Sequence, residues 1–313
     1  MSCYIVTGGC GFIGSRLVQI LHDLGHEVVV IDNLSSGNRH AIPKEVNLIA
    51  SDICDLASWT DSVPDKIDGC FHLAANPSVT DSMNKYFETH RINLGGMVAV
   101  FDWASKYMKI TRRSVKVVYA SSCAVYGSNQ NIPVSEEMEV FPLNSYAADK
   151  RCAEIHARMV ASAYGIPSIG LRFFNVFGPG QRFSSQYSGV LSIFCKLLAD
   201  GKQVTIYGDG TQCRDFIFVD DVIQAMLKSM LNAAMHSPAV LNVCTGEGTS
   251  LLEAGSIVAK LCGADFVPKF AKEREGDIKF SVGDPSLSER LIDWRSSTNL
   301  TDGLVQTLSN VKK

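Results

Sequence analysis

The sequence predicts an α/β protein with a doubly wound parallel (Rossmann) sheet and a smaller α/β substrate-binding lobe. Apolar strand-like runs alternate with helix-like runs over the first half of the chain. A glycine-rich turn joins the first predicted strand to the first predicted helix. Acidic and hydroxyl residues follow several of the strands, at the sheet edge where such folds bind ligands.

The predicted strands of the sheet are residues 4–6, 27–31, 47–50, 70–75, 115–120 and 168–174. Helices are predicted from about residue 15, over 86–107 and over 145–164, the last with Asn144 or Ser145 as its cap. Later elements are helices over 189–199 and from 221, and strands over 204–207 and 216–219. We therefore expect a first domain of residues 1–173 with returning segments at about 215–245, and a second lobe of residues 174–214 and 246–313.

The composition is that of an ordinary globular protein: 313 residues, 46% hydrophobic and 19% charged. The net charge of −3, without a long basic run, favours neither a nucleic-acid nor a membrane-surface partner. No apolar segment approaches the ~20 residues of a membrane span, and the N-terminus does not read as a signal peptide. The 10 cysteines include no CxxC pair, so we expect reduced thiols, no metal site and a cytoplasmic protein.

The glycine turn has the spacing G-x-x-G-x-x-G, formed by Gly8, Gly11 and Gly14. Glycines let the backbone approach a pyrophosphate, and the helix N-terminus that follows supplies amide donors. Asp32 ends the next strand, where a carboxylate accepts hydrogen bonds from both ribose hydroxyls of adenosine and repels a 2′-phosphate. A tight turn beside an exposed acid is the alternative, but the four features together favour NAD.

Tyr146 and Lys150 are four residues apart, so on a helix their side chains occupy one face. A free tyrosine is a poor base because its pKa is about 10, and a neighbouring ammonium group would lower that pKa. The pair is therefore a candidate general base, although ordinary surface pairs have the same spacing.

Motifs along nearly the whole chain make it similar to the extended short-chain dehydrogenases/reductases, specifically the NAD-dependent sugar epimerase/dehydratase family. The resemblance rests on Asn93, on the Tyr146/Lys150 pair and on segments 7–14, 71–75, 121–127, 172–179, 208–216 and 274–277. It implies NAD as the cofactor, a UDP-sugar as the substrate and a homodimer formed through helices near 86–107 and 146–164.

The resemblance also implies roles for individual residues. The catalytic residues would be Ser122, Tyr146 and Lys150. The NAD contacts would be Gly8, Gly11, Phe12, Ile13, Gly14, Asp32, Asn33, Ser36, Gly37, Asp52, Ile53, Leu73, Ala74, Ala75, Asn93, Ser121, Tyr146, Lys150 and Phe173. The UDP-sugar contacts would be Ser78, Ser122, Tyr146, Asn175, Val190, Tyr207, Arg214, Arg274, Asp277 and Ser281. Arginine forks suit diphosphate oxygens, although a solvated surface arginine is the alternative for Arg214.

The two residues after Ser122 distinguish the reactions of this family. By resemblance, 4,6-dehydratases have an Asp-Glu pair there, and UDP-glucuronate decarboxylases keep the glutamate. This chain has Cys123 and Ala124, and neither side chain is a carboxylic acid. Ser122 and Tyr146 without a further acid match the 4-epimerases, which oxidise the sugar transiently at C4 through a 4-keto intermediate.

The identity of the sugar depends on Ser281, seven positions after Arg274, where family 4-epimerases have a gate residue. A small residue leaves room for a 2-acetamido group, which favours UDP-GlcNAc/UDP-GalNAc, alone or alongside UDP-Glc/UDP-Gal; a solvent-facing serine is the alternative. The loop 76–78 departs from the glucose 4-epimerases, many of which have a lysine near it. A UDP-glucuronate 4-epimerase, another sugar-nucleotide epimerase or reductase, and a non-catalytic NAD-binding regulator stay open as alternatives, although Tyr146 and Lys150 disfavour the last.

Overall fold

The computed structural model describes residues 1–129, 131–182, 189–273 and 277–311. These residues form two compact units. The first unit consists of Met1–Val125, Asn144–Arg172 and Ile223–Leu241, and the second consists of the described parts of Tyr126–Leu143, Phe173–Val222 and Asn242–Lys313. Over the described residues, no helix has both the length and the apolar character needed to cross a membrane.

This division differs from the expected one in three segments and at one residue. Segments 126–143, 215–222 and 242–245 and the residue Phe173 were expected in the first domain, whereas their described parts belong to the second unit. The first segment is held there by backbone pairing, because the Val134 amide donates to the Val282 carbonyl at 2.9 Å and the Asp284 amide donates to the Val134 carbonyl at 2.9 Å. Such long-range pairing leaves no signal in local sequence patterns.

The strands are β1 (Cys3–Thr7), β2 (Glu27–Ile31), β3 (Asn47–Ile49), β4 (Gly69–His72), β5 (Lys116–Ser122), β6 (Ser168–Phe173), β7 (Asn175–Phe177), β8 (Thr205–Tyr207), β9 (Cys213–Arg214), β10 (Phe216–Phe218), β11 (Ala239–Val243), β12 (Thr249–Ser250), β13 (Lys269–Ala271) and β14 (Phe280–Ser281). The helices are α1 (Phe12–Asp23), α2 (Val79–Asn84), α3 (Tyr86–His90), α4 (Gly96–Thr111), α5 (Ser145–Tyr164), α6 (Val190–Ala199), α7 (Val219–His236), α8 (Leu251–Cys262), α9 (Ser286–Ile292) and α10 (Leu300–Val311).

The seven-stranded sheet has the order β11-β6-β5-β4-β1-β2-β3. The pairs β1–β2, β1–β4, β2–β3 and β4–β5 are parallel. The order reverses between β1 and β4, which is the switch point where doubly wound sheets bind their ligands. The predicted fold class is therefore confirmed.

Buried β-branched and aromatic side chains explain why these segments form strands. Ile5, Val29, Phe71 and Val117 are each 0–1% exposed, as expected for parallel strands covered on both faces. The smaller sheets of the second unit are β7–β10, β12–β9–β14 and β8–β13. Of these strands, β7, β8, β9 and β14 carry predicted substrate residues.

The helix predicted over 86–107 is not continuous. The structure has α3, then a π-helical turn over Arg91–Gly95, then α4, which extends to Thr111. The turn contains Asn93, whose amide side chain bonds to the backbone of Asn76. π-helical turns are frequent at functional sites, but the hydrophobic pattern of the sequence does not reveal them.

Helix α5 has the predicted bounds because both of its ends are specified locally. The Asn144 side chain accepts a hydrogen bond from the Ala147 amide at 2.9 Å, which caps the first turn. At the other end, Gly165 adopts a left-handed conformation with φ of 67°. These caps fix where the helix begins and ends.

Candidate active site

The loops after β1 and β4 meet at the switch point. Gly8 has a positive φ of 67°, and a Cβ added there would lie 2.7 Å from the Ala74 amide nitrogen. The Thr7 hydroxyl accepts hydrogen bonds from the Leu73 and Ala74 amides, each at 3.2 Å. Only glycine permits this approach, so the structure brings the glycine turn and the predicted 73–75 segment together.

The start of α1 packs onto the same turn. A Cβ on Gly14 would lie 2.2 Å from the Gly8 carbonyl oxygen, whereas a Cβ on Gly11 would lie 3.3 Å from it. Helix α1 begins at Phe12, so the amides of Phe12 and Ile13 belong to its first turn, where amides have no intrahelical acceptor. The turn is thus a glycine-lined group of backbone donors, suited to a pyrophosphate.

Asp32 is buried at the end of β2 and bonds to the glycine turn. One carboxylate oxygen accepts a hydrogen bond from the Cys10 amide at 2.9 Å, and the other accepts one from the Leu34 amide at 2.8 Å. A Cβ on Gly37 would lie 3.1 Å from the Asp32 carboxylate, so this segment also closes on the turn. Asn33 and Ser36 are exposed beside it.

Asp52 is already paired in the structure. Its carboxylate lies 2.8 Å from the Arg91 guanidinium and accepts the Cys54 amide at 2.9 Å. Burial alone would raise the pKa of Asp52, but the Arg91 hydrogen bond and charge hold that pKa below its usual range. The adjacent Ile53 is buried and packs close to Gly96 of α4.

Two predicted ligand contacts shape the loop after β4. Asn93 accepts a hydrogen bond from the Asn76 amide at 2.8 Å and donates to the Asn76 carbonyl at 3.1 Å. The Ser78 hydroxyl accepts the Asp81 amide at 2.9 Å and caps α2, and Ser78 is 4% exposed. Both residues hold the loop in place, and their ligand contacts stay predictions.

The predicted catalytic residues come together between β5 and α5. Ser122 ends β5, and its hydroxyl is close enough to the Tyr146 phenol to act on the pKa of that phenol, which it lowers. The Lys150 ammonium donates to the Ala120 carbonyl at 2.8 Å and lies 5.8 Å from the centre of the Tyr146 ring. Lys150 also faces His72, a buried imidazole whose pKa burial lowers to about 3, so His72 is neutral.

The expected net lowering of the Tyr146 pKa is not found. Burial raises the pKa of Tyr146 to about 12, and the Ser122 hydrogen bond opposes that rise. Burial lowers the pKa of Lys150 to about 8, because Lys150 is taken out of water, while the nearby Asp149 carboxylate acts in the opposite direction. Desolvation therefore dominates the pairwise attraction that the sequence spacing suggested.

In the second unit, four predicted substrate residues lie on adjoining segments. The Arg214 guanidinium is 2.6 Å from the Asp277 carboxylate. Arg214 in β9 pairs with Ser281 in β14. The Asn175 side chain donates to the Asp215 carbonyl at 3.1 Å, one residue after Arg214.

The other predicted substrate residues of this unit are less closely joined. Tyr207 ends β8 and is 40% exposed. Val190 begins α6 and is partly buried. Phe173, a predicted NAD contact, is buried in this unit. Arg274 lies outside the described residues.

Several buried polar residues beside the predicted sites were missed from the sequence. Glu154 and Arg172 form an ion pair at 2.8 Å in the first unit, and Asp215 is fully buried in the second. A signal for Glu154 was available, because it lies four residues after Lys150 on the same helix face. No local pattern marked Asp215 as a buried acceptor.

Comparison with known proteins adds a family to this geometry. Residues 4–244 match the model of the NAD dependent epimerase/dehydratase family. The chain belongs to this family. A UDP-glucose 4-epimerase of Mycolicibacterium smegmatis is 33% identical over 311 residues, covering 97% of this chain and 96% of the relative.

Solved structures of the epimerase/dehydratase family are similar over almost the whole chain. One is a UDP-glucose 4-epimerase of Thermotoga maritima with UDP-glucose, with a TM-score of 0.93, 30% identity and coverage of 99% of this chain and 98% of the other. Another is a UDP-N-acetylglucosamine 4-epimerase of Methanobrevibacter ruminantium in complex with UDP-N-acetylmuramic acid, with a TM-score of 0.90, 33% identity and coverage of 99% and 97%.

The cofactor of the epimerase/dehydratase family is NAD, and the first unit fits it. Glycine at positions 8 and 14 lets the turn pack against the loop after β4 and the start of α1, because Cβ atoms there would clash with backbone. The first-turn amides of α1 at this turn suit a pyrophosphate. Asp32 supplies a carboxylate at the end of β2, the strand next to the turn. A carboxylate in that position suits the ribose hydroxyls of NAD.

Proposed function

We propose that the protein is an NAD-dependent 4-epimerase of a UDP-hexose. The observation that carries the proposal is the Ser122 hydroxyl beside the Tyr146 phenol, whose pKa it lowers. The next two residues are Cys123 and Ala124, where a dehydratase would have carboxylic acids. A hydroxyl and a phenol suffice to move one proton on and off a sugar hydroxyl. The identities of the similar proteins, named 4-epimerases, support the same reaction.

NAD supplies a hydride acceptor and donor, so an oxidation at C4 is reversed within one turnover and the net redox change is zero. Tyr146 removes the proton of the C4 hydroxyl and returns it to the 4-keto oxygen. The Ser122 hydroxyl donates its hydrogen bond to the reacting C4 oxygen, beside the Tyr146 phenol. Because burial raises the pKa of Tyr146, its phenolate depends on positive charge nearby, and Lys150 supplies that charge while it is protonated.

The UDP group is assigned to the second unit. Arg214 offers a planar guanidinium to the diphosphate, and its partner Asp277 holds that guanidinium in place. Asn175 lies beside this pair through its bonds to Asp215. These residues bind and orient, whereas the proton chemistry belongs to Ser122 and Tyr146.

The sugar we assign is UDP-GlcNAc/UDP-GalNAc, with UDP-Glc/UDP-Gal as further substrates. Ser281 is small and pairs across strands with Arg214, which places the predicted gate next to the predicted diphosphate ligand. A serine leaves space for a 2-acetamido group that a bulky aromatic residue would fill. The two similar structures come from enzymes named for glucose and for N-acetylglucosamine, which supports a pocket of either kind.

Tyr146→Phe tests the reaction. We expect kcat to fall by ~10²-fold or more, because the general base is lost, while the bound NAD content stays unchanged. Tyr164→Phe is the matched control, since Tyr164 lies at the exposed end of the same helix. Retention of more than about a tenth of kcat by Tyr146→Phe would refute the mechanism.

Product analysis tests the sugar. The protein is incubated separately with UDP-Glc, UDP-GlcNAc and UDP-GlcA, and the epimers are separated. Ser281→Tyr should keep UDP-Glc turnover and lose UDP-GlcNAc turnover, which makes one substrate the control for the other. A UDP-GlcNAc rate below roughly a hundredth of the UDP-Glc rate in the wild type would exclude the acetamido sugar as the main substrate.

We also propose a homodimer through a helical face of the first unit. The face comprises exposed apolar side chains of α2 to α5: Met83, Tyr86, Phe87, Val98, Ile155 and Met159. Phe87 is 78% exposed and Tyr86 63% exposed, and α3 packs against α5, so these exposed apolar side chains lie on adjoining helices. Phe87→Asp should convert the dimer to a monomer in sedimentation, whereas Ile110→Asp, at an exposed site of α4 outside the face, should not.

A further inference from the structure

A buried carboxylate joins three elements of the first unit behind the Ser122–Tyr146 pair. Glu154 lies on α5, and its side chain is 2% exposed. Its Oε1 accepts hydrogen bonds from the Ser121 hydroxyl at 2.7 Å and from Arg172 Nε at 2.8 Å. Its Oε2 accepts a second bond from Arg172 at 2.8 Å. Since Ser121 lies in β5 and Arg172 in β6, this carboxylate ties the helix to two neighbouring strands.

The hydrogen bond from Ser121 to Glu154, called the tie below, is the last of three contacts between α5 and the end of β5. The Tyr146 phenol lies beside the Ser122 hydroxyl, which lowers the pKa of the phenol. Lys150 donates a hydrogen bond to the Ala120 carbonyl, and Glu154 accepts one from the Ser121 hydroxyl. The three helical residues are spaced by four, so they lie on one face in successive turns. The first contact contains the reacting phenol, and the other two fix how the helix lies along the strand.

The Glu154–Arg172 pair makes this tie rigid. A bidentate guanidinium–carboxylate pair fixes both the distance and the orientation of the two planes. Burial alone would raise the pKa of Glu154, but hydrogen bonds and charge from Arg172 hold that pKa below its usual range, so the carboxylate stays ionised. Arg151 also bonds to Oε2 at 2.9 Å, but it belongs to α5 itself and is 34% exposed, so it joins no second element.

We propose that Glu154 and Ser121 are positioning residues that set the Ser122 hydroxyl against the Tyr146 phenol; the proposal rests on the proposed epimerase function. Arg172 holds the Glu154 carboxylate, the carboxylate holds the Ser121 hydroxyl, and the next residue of β5 is Ser122. Loss of the tie lets the end of β5 shift relative to α5. A shift of about 1 Å at a reacting group is enough to cost on the order of 10²-fold in rate.

Ser121→Ala is the most specific variant, because it removes the hydrogen bond from β5 to Glu154 and leaves the buried Glu154–Arg172 ion pair intact. Ser121→Thr restores a hydroxyl on a β-compatible side chain and is the conservative rescue. Glu154→Gln removes the charge, and Arg151→Ala removes the exposed contact to the same carboxylate as a matched control. Because Ser121 is also a predicted NAD contact, bound NAD is quantified for every variant.

We expect Ser121→Ala to lower kcat by about 10- to 100-fold, with the KM for the UDP-sugar, the NAD content and the unfolding midpoint near those of the wild type. Ser121→Thr should recover most of the rate, and Arg151→Ala should stay within about twofold. Glu154→Gln should lose at least as much rate as Ser121→Ala; if it does not fold, the Ser121 variants decide. Full kcat in Ser121→Ala, equal losses in Arg151→Ala, or a loss explained by NAD content or KM alone would overturn the proposal.

A second readout needs no turnover. Tyrosine labelled at Cζ reports the pKa of Tyr146 by NMR, with Tyr146→Phe identifying the resonance. Ser121→Ala should raise the pKa of Tyr146, because the misplaced Ser122 hydroxyl no longer stabilises the phenolate. An unchanged pKa overturns the positioning role. A wild-type protein that epimerises none of the UDP-sugars refutes the proposed function instead, and the Tyr146 titration still tests the tie.

Discussion

Glu154 in the first unit and Asp215 in the second are both buried carboxylates beside predicted site residues, but they receive hydrogen bonds from different kinds of group. Glu154 receives a bidentate guanidinium from Arg172. Asp215 receives backbone amides of Thr245 at 2.8 Å and Gly246 at 2.9 Å, together with the Thr245 hydroxyl at 2.8 Å.

The pKa values follow this difference. The pKa of Glu154 is lowered, because the arginine outweighs the cost of burial. Burial raises the pKa of Asp215 to about 6, since amide and hydroxyl dipoles oppose desolvation only in part. A full opposite charge keeps a buried carboxylate ionised, whereas dipoles alone leave it close to protonation.

The two carboxylates also order different parts of the chain. Glu154 orders side chains at the end of β5, next to Ser122. The Asp215 carboxylate orders backbone, because it accepts the amides of Thr245 and Gly246 next to the main chain that bonds to Ser281 and Asn175. We therefore expect changes at Glu154 to affect kcat first, and changes at Asp215 to affect KM for the UDP-sugar first.

Glu154→Ala should give the largest loss of stability. It leaves the Arg172 charge buried without its partner, which typically costs about 3–5 kcal/mol of the free energy of unfolding. The double variant Glu154→Leu/Arg172→Met removes both charges and should recover most of that loss. Urea unfolding measures both, and a single variant within about 1 kcal/mol of the wild type would show that the pair is not the main support of this region.

The two carboxylates should respond oppositely to pH. The folded-state pKa of Asp215 is about 6, above its ordinary 3.8, so its contribution to stability is complete below pH 3.8 and is lost as pH rises through about 6. The pKa of Glu154 is lowered, so its contribution is present above the ordinary 4.5 and is lost as pH falls.

Unfolding free energies at several pH values test this contrast. The cost of Asp215→Asn, on the order of 1–3 kcal/mol, should shrink between about pH 4 and about pH 6. The cost of Glu154→Gln should shrink on acidification instead. The contrast would be wrong if the unfolding free-energy costs of the two substitutions changed in the same direction with pH. Dipoles and an arginine would then stabilise these carboxylates in the same way.

The titration of the catalytic residues should depend on the charges of the first unit. Burial lowers the pKa of Lys150 to about 8, and the Asp149 carboxylate opposes this effect. Lys150 is charged below that pH, so kcat/KM should fall as pH rises through about 8. Asp149→Asn should move this alkaline fall in kcat/KM, the alkaline limb of the pH profile, to lower pH by up to about 1 unit. The substitution removes the negative charge that raises the pKa of Lys150. Asp215→Asn should leave the limb in place, and movement of the limb in that variant would contradict the contrast.

The smallest effect is expected at an exposed ion pair of the first unit. Lys106 lies 2.7 Å from Asp102 on α4, with side chains 66% and 44% exposed. Asp102→Asn should change the free energy of unfolding by less than about 0.5 kcal/mol, because solvent screens the pair. A loss comparable to that of Glu154→Ala would show that pairing, rather than burial, sets the cost.

Much of the architecture was accessible to sequence reasoning. The strand Glu27–Ile31 and the helix Ser145–Tyr164 have the predicted bounds, because β-branched runs and a capping asparagine are local signals. The parallel sheet, the family and its NAD cofactor are confirmed. The individual ligand contacts stay predictions. The structure shows Asn93 and Ser78 holding a loop.

Other features depend on contacts between distant segments. The break at Arg91–Gly95 accompanies the bonds between Asn93 and Asn76, which no periodic pattern encodes. The place of residues 126–143 in the second unit depends on pairing with residues 282–284. The pKa of Tyr146 was predicted in the wrong direction, because burial is a property of the folded chain.

The sequence alone specified the chemical groups: the glycines of the turn, the Asp32 carboxylate, the Ser122 hydroxyl and the Tyr146/Lys150 pair in register on one helix face. It did so because these features depend on residue type and short spacing. Only the tertiary structure decided which groups are buried, and therefore which are charged. In the folded chain Lys150 bonds to the Ala120 carbonyl, burial raises the pKa of Tyr146, and Glu154 bonds to Ser121 and Arg172. Desolvation and long-range hydrogen bonds exist only once strands and helices pack.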